Sequence, residues 1–267
     1  MTGADRIRYL NGQTTQDVAR IAPGTAGYGA VLTGKGKIVG DLFLAAGDDA
    51  LYLDADLSLR VPLRERLEKF LIADDAVLDD VTEGYVLYHS PAETKPEVTG
   101  VPGALAFANA RFGVPGWDVW VPKSSPAPFA FSVEGSAPIL ERLEIERGVG
   151  RWGSEIDAET LPQEAALDVA GRGLSYEKGC YVGQETVARI RSLGHVNRRL
   201  VRLEQTGGPD DLTPAPLTTG AGEEAGRLTR MALFPDGKRR ALGFLKKKYL
   251  ETPPELQAGE RTFRVVG

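Results

Sequence analysis

The segment with the most unusual composition, residues 171–195, reads G-R-G-L-S-Y-E-K-G-C-Y-V-G-Q-E-T-V-A-R-I-R-S-L-G-H and contains the only cysteine of the chain, Cys180. Good helix formers run from Gln184 to Leu193, so the thiol stands just before a predicted helix. Unpaired N–H groups and the positive end of the helix dipole favour a thiolate at such a place, and Lys178 is close in sequence. The pattern predicts a reactive cysteine. The alternative is a small buried cysteine between two glycines that the backbone conformation requires.

A single cysteine excludes an internal disulfide and a four-cysteine metal site. With His89 and His195 as the only histidines, a conventional zinc or iron–sulfur ligand set cannot be built within one chain. We therefore expect no metal bound by this chain alone. The sequence has no apolar run of the roughly 18 residues that span a bilayer, and its N-terminus lacks the apolar region of a signal peptide. These features predict a cytoplasmic protein without a membrane partner.

The chain has 267 residues, of which 42% are hydrophobic and 26% charged, which is typical of a globular protein with about two domains. The net charge of −5 is unevenly distributed. From Lys178 onward 16 basic residues stand against 10 acidic ones, whereas 16 stand against 27 before it. The basic part fits an anionic ligand or partner, or else solvated strand ends at residues 238–240 and 246–248. We expect no direct nucleic-acid binding.

The first fifty residues predict an antiparallel meander. Strand-like runs at Tyr28–Thr33 and Ile38–Ala45 flank the glycine-bearing turn G-K-G-K. A third run, Ala50–Leu53, follows a short polar turn.

The next fifty residues predict one helix and two short strands. Leucines recur at helical spacing over residues 58–72, with Ser58 as the candidate N-cap and Pro62 in the first turn. Residues 76–88 predict a pair of strands, and residues 91–103 form a polar loop rich in proline and glycine.

The second half predicts a further helix and an all-β tail. The helix runs from Ser136 to about Arg147. A strand at Leu200–Leu203 is separated by a mostly polar stretch, residues 205–224, from strands near residues 226–234 and 240–246.

The stretch K-G-C-Y-V-G-Q-E-T-V-A-R-I at Lys178–Ile190 resembles the signature of the YgfZ family, folate-binding proteins that act in the assembly or repair of iron–sulfur enzymes. Further stretches extend this resemblance over most of the chain: D-R-I-R-Y-L-N-G-Q-T-T-Q-D-V at Asp5–Val18, P-G-T-A-G-Y-G-A-V-L-T-G-K-G-K at Pro23–Lys37, I-E-R-G-V-G-R-W-G-S-E-I at Ile145–Ile156 and L-P-Q-E-A-A-L at Leu161–Leu167. The wider superfamily includes the glycine-cleavage T-protein, an aminomethyltransferase that depends on tetrahydrofolate.

The resemblance implies an α+β, T-protein-like fold with antiparallel sheets. On this basis residues 1–45 and 105–197 form a discontinuous N-terminal folate-binding body. Residues 46–104 form a ferredoxin-like middle segment, and residues 198–267 form a C-terminal β-barrel.

The resemblance also implies a residue that binds the pterin ring. In the superfamily this is a glutamate of an R-x-E-x-G pattern, and Glu146 matches it, whereas Glu144 stands where the pattern has its arginine. A carboxylate accepts paired hydrogen bonds from the amino group and ring N–H of a pterin. Without the resemblance, a solvated helix position would explain Glu146 equally well.

Residues near the cysteine are the other candidates. Cys180 and Lys178 are the candidate catalytic residues, with Lys178 tuning the thiol, while Tyr181, Gln184 and Arg189 shape the folate site. An arginine there suits the carboxylates of the folate tail. Three residues of the opening motif either line the same cavity or serve in capping and turns: Asn11, Gln13 and Thr14.

The expected function is that of the family: binding of tetrahydrofolate or a derivative, with iron–sulfur enzymes or their assembly machinery as partners. The catalytic aspartate of the aminomethyltransferase falls near Val61, which cannot relay a proton. This argues against aminomethyl transfer, and helix capping explains the nearby Asp54 and Asp56 as well as a role in the site does. Two alternatives stay open, a folate-dependent aminomethyl- or methyltransferase and a non-catalytic folate-binding scaffold, so enzymatic activity is undecided.

Overall fold

The computed structural model describes residues 1–98, 100–125, 136–169, 172–194 and 196–266. Gly171 and His195, the two ends of the segment that holds the cysteine, lie outside the described residues. The chain forms two compact units, one of Met1–Ser132 with Asp168–Gln184 and the other of Val133–Leu167 with Glu185–Gly267. The three-part division implied by the resemblance stays a prediction.

The predicted meander forms the first sheet of the first unit. Strands β1 (Ala26–Leu32), β2 (Ile38–Ala46) and β3 (Leu51–Asp54) pair antiparallel in chain order. Buried and half-buried residues alternate along the first part of β2, as expected for a strand with one face in the core. The turn between β1 and β2 is closed by Gly36, whose φ of +79° suits glycine. The meander prediction is confirmed.

The second sheet of this unit differs from the sequence prediction. Strands β4 (Tyr85–Ser90), β5 (Leu105–Ala108) and β6 (Trp117–Pro122) form an antiparallel sheet with β6 in the centre. The prediction of two strands within residues 76–88 is wrong, because only β4 forms there. Upstream of it the chain is rich in aspartate, and Val77 makes a single bridge to Thr2. Strands β5 and β6 were not predicted.

Aromatic side chains join the two sheets of the first unit. Tyr52 of β3 contacts Phe107 of β5 and Trp120 of β6, with ring centres 5.5 and 5.6 Å apart. Ala45, Phe107 and Trp120 are buried in this cluster. Burial of such rings is a large apolar contribution to the stability of the unit.

Two helices belong to the first unit. Helix α1 (Arg6–Gln13), which was not predicted, leads into the turn of the opening motif. Helix α2 (Arg60–Glu68) follows a 3-10 turn at Leu57–Leu59 and ends before residue 72. The predicted N-cap was wrong, because Asp56 accepts the hydrogen bond from the Ser58 N–H. The later apolar residues do not extend the helix, since Ile72 is 87% exposed.

The second unit contains a closed barrel, which confirms the predicted all-β tail. Its strands are β7 (Arg198–Gly207), β8 (Ala215–Thr219), β9 (Glu224–Leu233), β10 (Arg239–Lys246), β11 (Leu256–Ala258) and β12 (Arg261–Val266), in the order β10-β7-β12-β11-β8-β9. Its core includes the fully buried Leu203, Leu217 and Phe263. Strand β8 lies inside the stretch predicted to be a polar connection.

Helices α3 (Ser136–Arg147) and α4 (Gln184–Leu193) have the predicted bounds. Ile145 of α3 packs in one cluster with Leu200, Phe234 and Phe244 of the barrel region, so α3 is fixed within the second unit. Within the described part of the chain, no helix is long and apolar enough to cross a membrane.

Candidate functional site

Hydrogen bonds join the opening motif of the chain to the cysteine segment. The Thr15 hydroxyl donates to the Gly173 carbonyl at 2.6 Å, and the Ser175 N–H donates to the Thr15 carbonyl at 2.9 Å. Further along, the Val182 N–H donates to the Gly12 carbonyl at 3.1 Å. Two stretches far apart in sequence therefore form one local structure within the first unit.

Lys178 lies at the centre of this structure. Its Nζ donates to the backbone carbonyls of Asn11, Thr14 and Gln16 at 2.5, 2.7 and 2.6 Å, so all three N–H donors of the ammonium are used. The residue is only 8% exposed. Burial lowers the pKa of Lys178 to about 8, while the charge of Asp17 acts in the opposite direction. The contacts place the ammonium on carbonyl oxygens, and its predicted effect on the thiol stays a prediction.

The two glycines beside the cysteine have different roles. Gly183 has a φ of +87°, and a Cβ atom added there would lie 2.6 Å from the carbonyl oxygen of Thr33. A larger residue would be strained and would collide with backbone. Gly179 has no such conformation, and an added Cβ would meet open space. The conformation therefore requires glycine at 183 and not at 179.

Cys180 is exposed, and Tyr181 next to it is buried. The alternative of a small buried cysteine is therefore wrong. The ring centre of Tyr181 lies 5.0 Å from the Lys178 ammonium, and burial raises the pKa of the Tyr181 hydroxyl well above its ordinary value. The segment thus presents its thiol outward and packs the neighbouring ring inward.

The three candidates of the opening motif make local hydrogen bonds. The Asn11 side chain accepts from the N–H of Val18, and the Gln13 side chain accepts from Arg66 at 3.0 Å. The Thr14 hydroxyl donates to the carbonyl of Leu10 in α1. These contacts match the capping and turn alternative, and a ligand role for the three residues stays a prediction.

In the second unit, the contacts of Glu144 account for an acid at this position, where the superfamily pattern has arginine. Its carboxylate accepts hydrogen bonds from Arg230 and Arg151, each at 2.5 Å, and Arg230 also pairs with the buried Glu155. A buried carboxylate between two guanidinium groups is satisfied by charge-assisted bonds. The arginine expected by the pattern at position 144 is thus replaced by an acid whose cationic partners come from elsewhere.

The remaining candidates occupy helix positions. Glu146 lies in the last turn of α3 with an exposed side chain, and Arg202 donates to its backbone carbonyl at 2.7 Å. Gln184 is the first residue of α4, and Arg189 is exposed on the same helix. Glu146 and Arg189 belong to the second unit, whereas Cys180 and its surroundings belong to the first.

A half-buried acid that the sequence analysis missed lies on β2. Asp41 accepts a hydrogen bond of 2.6 Å from the Tyr28 hydroxyl through one carboxyl oxygen, and its other oxygen is buried with no hydrogen-bond partner among the described residues. Burial raises the pKa of Asp41, although the bond from Tyr28 acts against this. A carboxyl in such surroundings can hold and release a proton. The hairpin register was the available signal, because Tyr28 pairs with Phe43, two residues from Asp41.

A second polar cluster surrounds Asp118 in the central strand β6. It accepts hydrogen bonds from His89 at 2.7 Å, Asn109 at 2.5 Å and Arg111 at 2.8 Å, and Arg111 also pairs with Asp54. Burial acts to raise the pKa of Asp118, but the bonds from His89 and Arg111 outweigh it and lower the pKa to about 2.

Contacts in this cluster and before helix α2 account for the two acids near the predicted catalytic position. Asp54 pairs with Arg111, whereas Asp56 caps a 3-10 turn, as the capping alternative held. Val61 is exposed on α2. Within the ranges that the structure describes, no group of three or more histidine, cysteine, aspartate or glutamate residues is placed to hold a metal ion.

Comparison with known proteins gives the context of these motifs. A tRNA-modifying protein YgfZ from Vibrio vulnificus is 30% identical over 285 residues, which cover 100% of this chain and 84% of the relative. The chain belongs to the YgfZ family. An aminomethyltransferase from Rubrobacter xylanophilus is 27% identical over 285 residues, covering 96% of this chain and 74% of the relative. No family model matches the chain.

A more distant relative of this YgfZ-family chain is the iron–sulfur cluster assembly factor IBA57 homolog, mitochondrial, of Phaeosphaeria nodorum. It is 25% identical over 225 residues, which cover 75% of this chain and 52% of that protein. Among solved structures, the glycine cleavage system aminomethyltransferase T from Bartonella henselae superposes with a TM-score of 0.74 at 17% identity, covering 99% of this chain and 81% of that one. The chain therefore has the T-protein-like fold, as the resemblance implied.

Proposed function

We propose that this YgfZ-family chain binds tetrahydrofolate or a derivative and supports the assembly or repair of iron–sulfur enzymes, with Cys180 as the residue that carries the function. The observation that carries the proposal is the exposed thiol in the family's own K-G-C-Y-V-G-Q-E segment, held between the hydrogen bonds of Lys178 and Val182. The name of the relative from P. nodorum, an iron–sulfur cluster assembly factor, supports the second part.

The chemistry of Glu146 fits a pterin. Its carboxylate is exposed and has no ion-pair partner among the described residues, whereas the carboxylate of Glu144 is occupied by Arg230 and Arg151. Of these two acids, only Glu146 is available to accept hydrogen bonds from a ligand. Bound tetrahydrofolate would supply the amino group and ring N–H that such a carboxylate accepts. An exposed arginine, Arg189, suits the carboxylates of the folate tail.

Cys180 fits a thiol-dependent role because it is exposed and is the only cysteine of the chain. The thiol is held in place by Lys178 and Val182, whose N–H groups already donate hydrogen bonds to backbone carbonyls. Its partners in this proposal are iron–sulfur enzymes or their assembly machinery, and the cytoplasm is the expected location.

Two alternatives were left by the sequence, and the comparisons do not favour either. The relative that establishes the family is a YgfZ protein at 30% identity, whereas the aminomethyltransferase is 27% identical. A non-catalytic scaffold differs from a thiol-dependent factor in one measurable respect. A scaffold tolerates loss of the Cys180 thiol, and a thiol-dependent factor does not.

The test is complementation of cells that lack their own YgfZ-type factor. Wild-type protein should restore the activity of an iron–sulfur enzyme, and Cys180→Ala should not. Gly179→Ala is the matched control, since it changes the adjacent residue at a position where an added Cβ meets open space. Equal rescue by Cys180→Ala and wild type, at equal expression, would reject the thiol role and leave the scaffold.

A further inference from the structure

The three carbonyls that hold the Lys178 ammonium come from the end of α1 and the turn that follows it. The last carbonyls of a helix lack intrahelical partners. For Asn11 the N–H four residues later belongs to Thr15, which donates instead to Ala30 of β1. The Asn11 carbonyl is therefore left for Lys178. A cation at the C-terminal end of a helix is also favoured by the helix dipole.

The ligand set around this ammonium is the one that free monovalent cations use. It consists of the carbonyls of Asn11, Thr14 and Gln16 together with the face of the Tyr181 ring, whose centre is 5.0 Å from Nζ. Rings of carbonyl oxygens replace the hydration shell of a monovalent ion, and aromatic faces attract cations. No carboxylate oxygen of the described residues bonds Nζ, so the ligands are neutral.

The same ammonium fixes the position of the cysteine. Lys178 is anchored on the Asn11–Gln16 turn, and so is Val182, through its bond to Gly12. Cys180 lies midway between these two anchors and is exposed. Loss of the first anchor would free the segment on one side of the thiol and leave the bond from Val182 to Gly12 as its remaining anchor, which would then open more often.

We propose that Lys178 is a positioning residue that works as a tethered cation: its ammonium fills a three-carbonyl cage, and removal of the side chain leaves a site for a free primary alkylammonium ion. Any effect of Lys178 on activity rests on the role of Cys180 in the proposed function. The cage itself does not depend on that function.

The test uses Lys178→Ala and propylammonium, which replaces the atoms that the substitution removes. The thermal unfolding midpoint should fall by about 5–10 °C, because a buried charge-assisted hydrogen-bond set is lost. Propylammonium chloride should raise it again in a saturable manner at constant ionic strength. Tetramethylammonium, which has no N–H donor, should not. In wild type and in Lys35→Ala, which removes an exposed lysine, the midpoint should change by the same amount in propylammonium chloride as in tetramethylammonium chloride.

A local readout separates positioning from general destabilisation. In Lys178→Ala, hydrogen exchange at the Val182 amide should accelerate at least tenfold and return toward the wild-type rate with propylammonium. Amides of the barrel should not change. Lys178→Met keeps an apolar chain without donors and fills the space, so it should be destabilised without rescue by the amine.

Two results would overturn the proposal. One is a Lys178→Ala protein, folded or refolded in propylammonium, whose unfolding midpoint rises no more with propylammonium than with tetramethylammonium. The other is the absence of a particular NMR signal from wild type labelled with ¹⁵N-lysine. The cage predicts one slowly exchanging ammonium signal near pH 6, and this signal should disappear in Lys178→Ala. Neither measurement involves folate or iron–sulfur enzymes, so the outcome is independent of the proposed function.

Discussion

At the scale of single residues, two glutamates on α3 have opposite surroundings. Glu144 is buried between Arg230 and Arg151, and Glu146 two positions later is exposed. Side chains two residues apart on a helix point about 200° apart, so one can face the body of the unit and the other solvent. A substitution at 144 therefore tests stability, and one at 146 tests ligand binding.

Glu146→Ala should weaken the binding of reduced folate by about 10–150-fold, because a charged hydrogen-bond acceptor for the pterin is removed. The thermal midpoint should stay within about 1–2 °C of wild type, since surface substitutions change stability little. Isothermal titration calorimetry of both proteins measures the affinities. Glu97→Ala, at an exposed loop position, is the control and should bind like wild type. Equal affinity of Glu146→Ala and wild type would remove Glu146 from the site.

The thiol of Cys180 should react with iodoacetamide in the native protein, because it is exposed. Saturating reduced folate should slow this reaction at least threefold by covering the thiol, because Tyr181 next to it is a candidate folate-binding residue. Mass spectrometry after timed quenching follows the single modification. A rate that is unchanged by folate, in a protein shown to bind it, would place the folate away from the cysteine.

Some residue-scale features follow from the sequence and others do not. Cys180 and Glu146 stand out because each belongs to a contiguous motif. The three carbonyls around Lys178 and the bond from Tyr28 to Asp41 depend on stretches that meet only in the fold. In each case the sequence shows the type of the side chain but not the group to which it is hydrogen-bonded.

At the scale of elements, the turn before α4 requires a glycine at one position. Gly183→Ala should destabilise the protein by about 1–3 kcal/mol, because its φ of +87° is unfavourable for alanine and the added Cβ meets the Thr33 carbonyl. Gly179→Ala is the matched control and should change stability little. Urea unfolding of both variants gives the difference. Similar stabilities of the two variants would contradict the geometry of this turn.

The central strand β6 makes stability depend on acid pH. The pKa of Asp118 is about 2 in the folded protein and about 3.9 in an unfolded chain, so the unfolded state binds more protons between these values. Stability should therefore rise with pH through this range: the contribution, about 2 kcal/mol, is fully present above pH 4–5 and is lost as the pH falls through 2.

The measurement is urea unfolding of wild type and Asp118→Asn between pH 2 and 7. The variant should be less stable at pH 7, where Arg111 and His89 lose their charged acceptor, and the difference from wild type should shrink as the pH falls. A constant difference across this range would show that Asp118 does not titrate as described.

Element boundaries were predictable where a local signal ended them. A run of good helix formers predicted the bounds of α4, and the glycine turn predicted the first hairpin. Helix α2 ends at Glu68, and Phe70 and Ile72 beyond it are exposed and do not continue its buried face. Strands β5 and β6 were missed because they form around a long-range pairing: the central strand β6 pairs with the distant β4 on one side and with β5 on the other.

At the scale of the whole molecule, basic residues of the two charge runs in the C-terminal part form ion pairs on the surface. Lys238 pairs with Glu204, Arg239 with Asp210, and Lys248 with Glu223. These pairs match the alternative of solvated strand ends. Exposed pairs of this kind contribute little to stability and are screened by salt. The uneven charge of the sequence therefore does not by itself indicate an anionic partner.

The purified protein should contain no stoichiometric iron or zinc as a monomer, because one cysteine and two histidines cannot form a conventional ligand set. Metal analysis combined with mass measurement in solution tests this. A cluster bridging two chains through Cys180 would appear as a dimer with bound iron and would be absent in Cys180→Ala. A stoichiometric cluster in a monomer would contradict the prediction.

The order of strands in the barrel has a consequence for synthesis of the protein. Strand β7 is the first barrel strand to be made, yet one of its two neighbours is β12, the last. Until the ribosome has released residues 261–266, β7 and β11 each have an open edge that another nascent chain can pair with. A premature stop between residues 208 and 260 therefore leaves an aggregation-prone sheet, so variants truncated in this range should accumulate as insoluble protein.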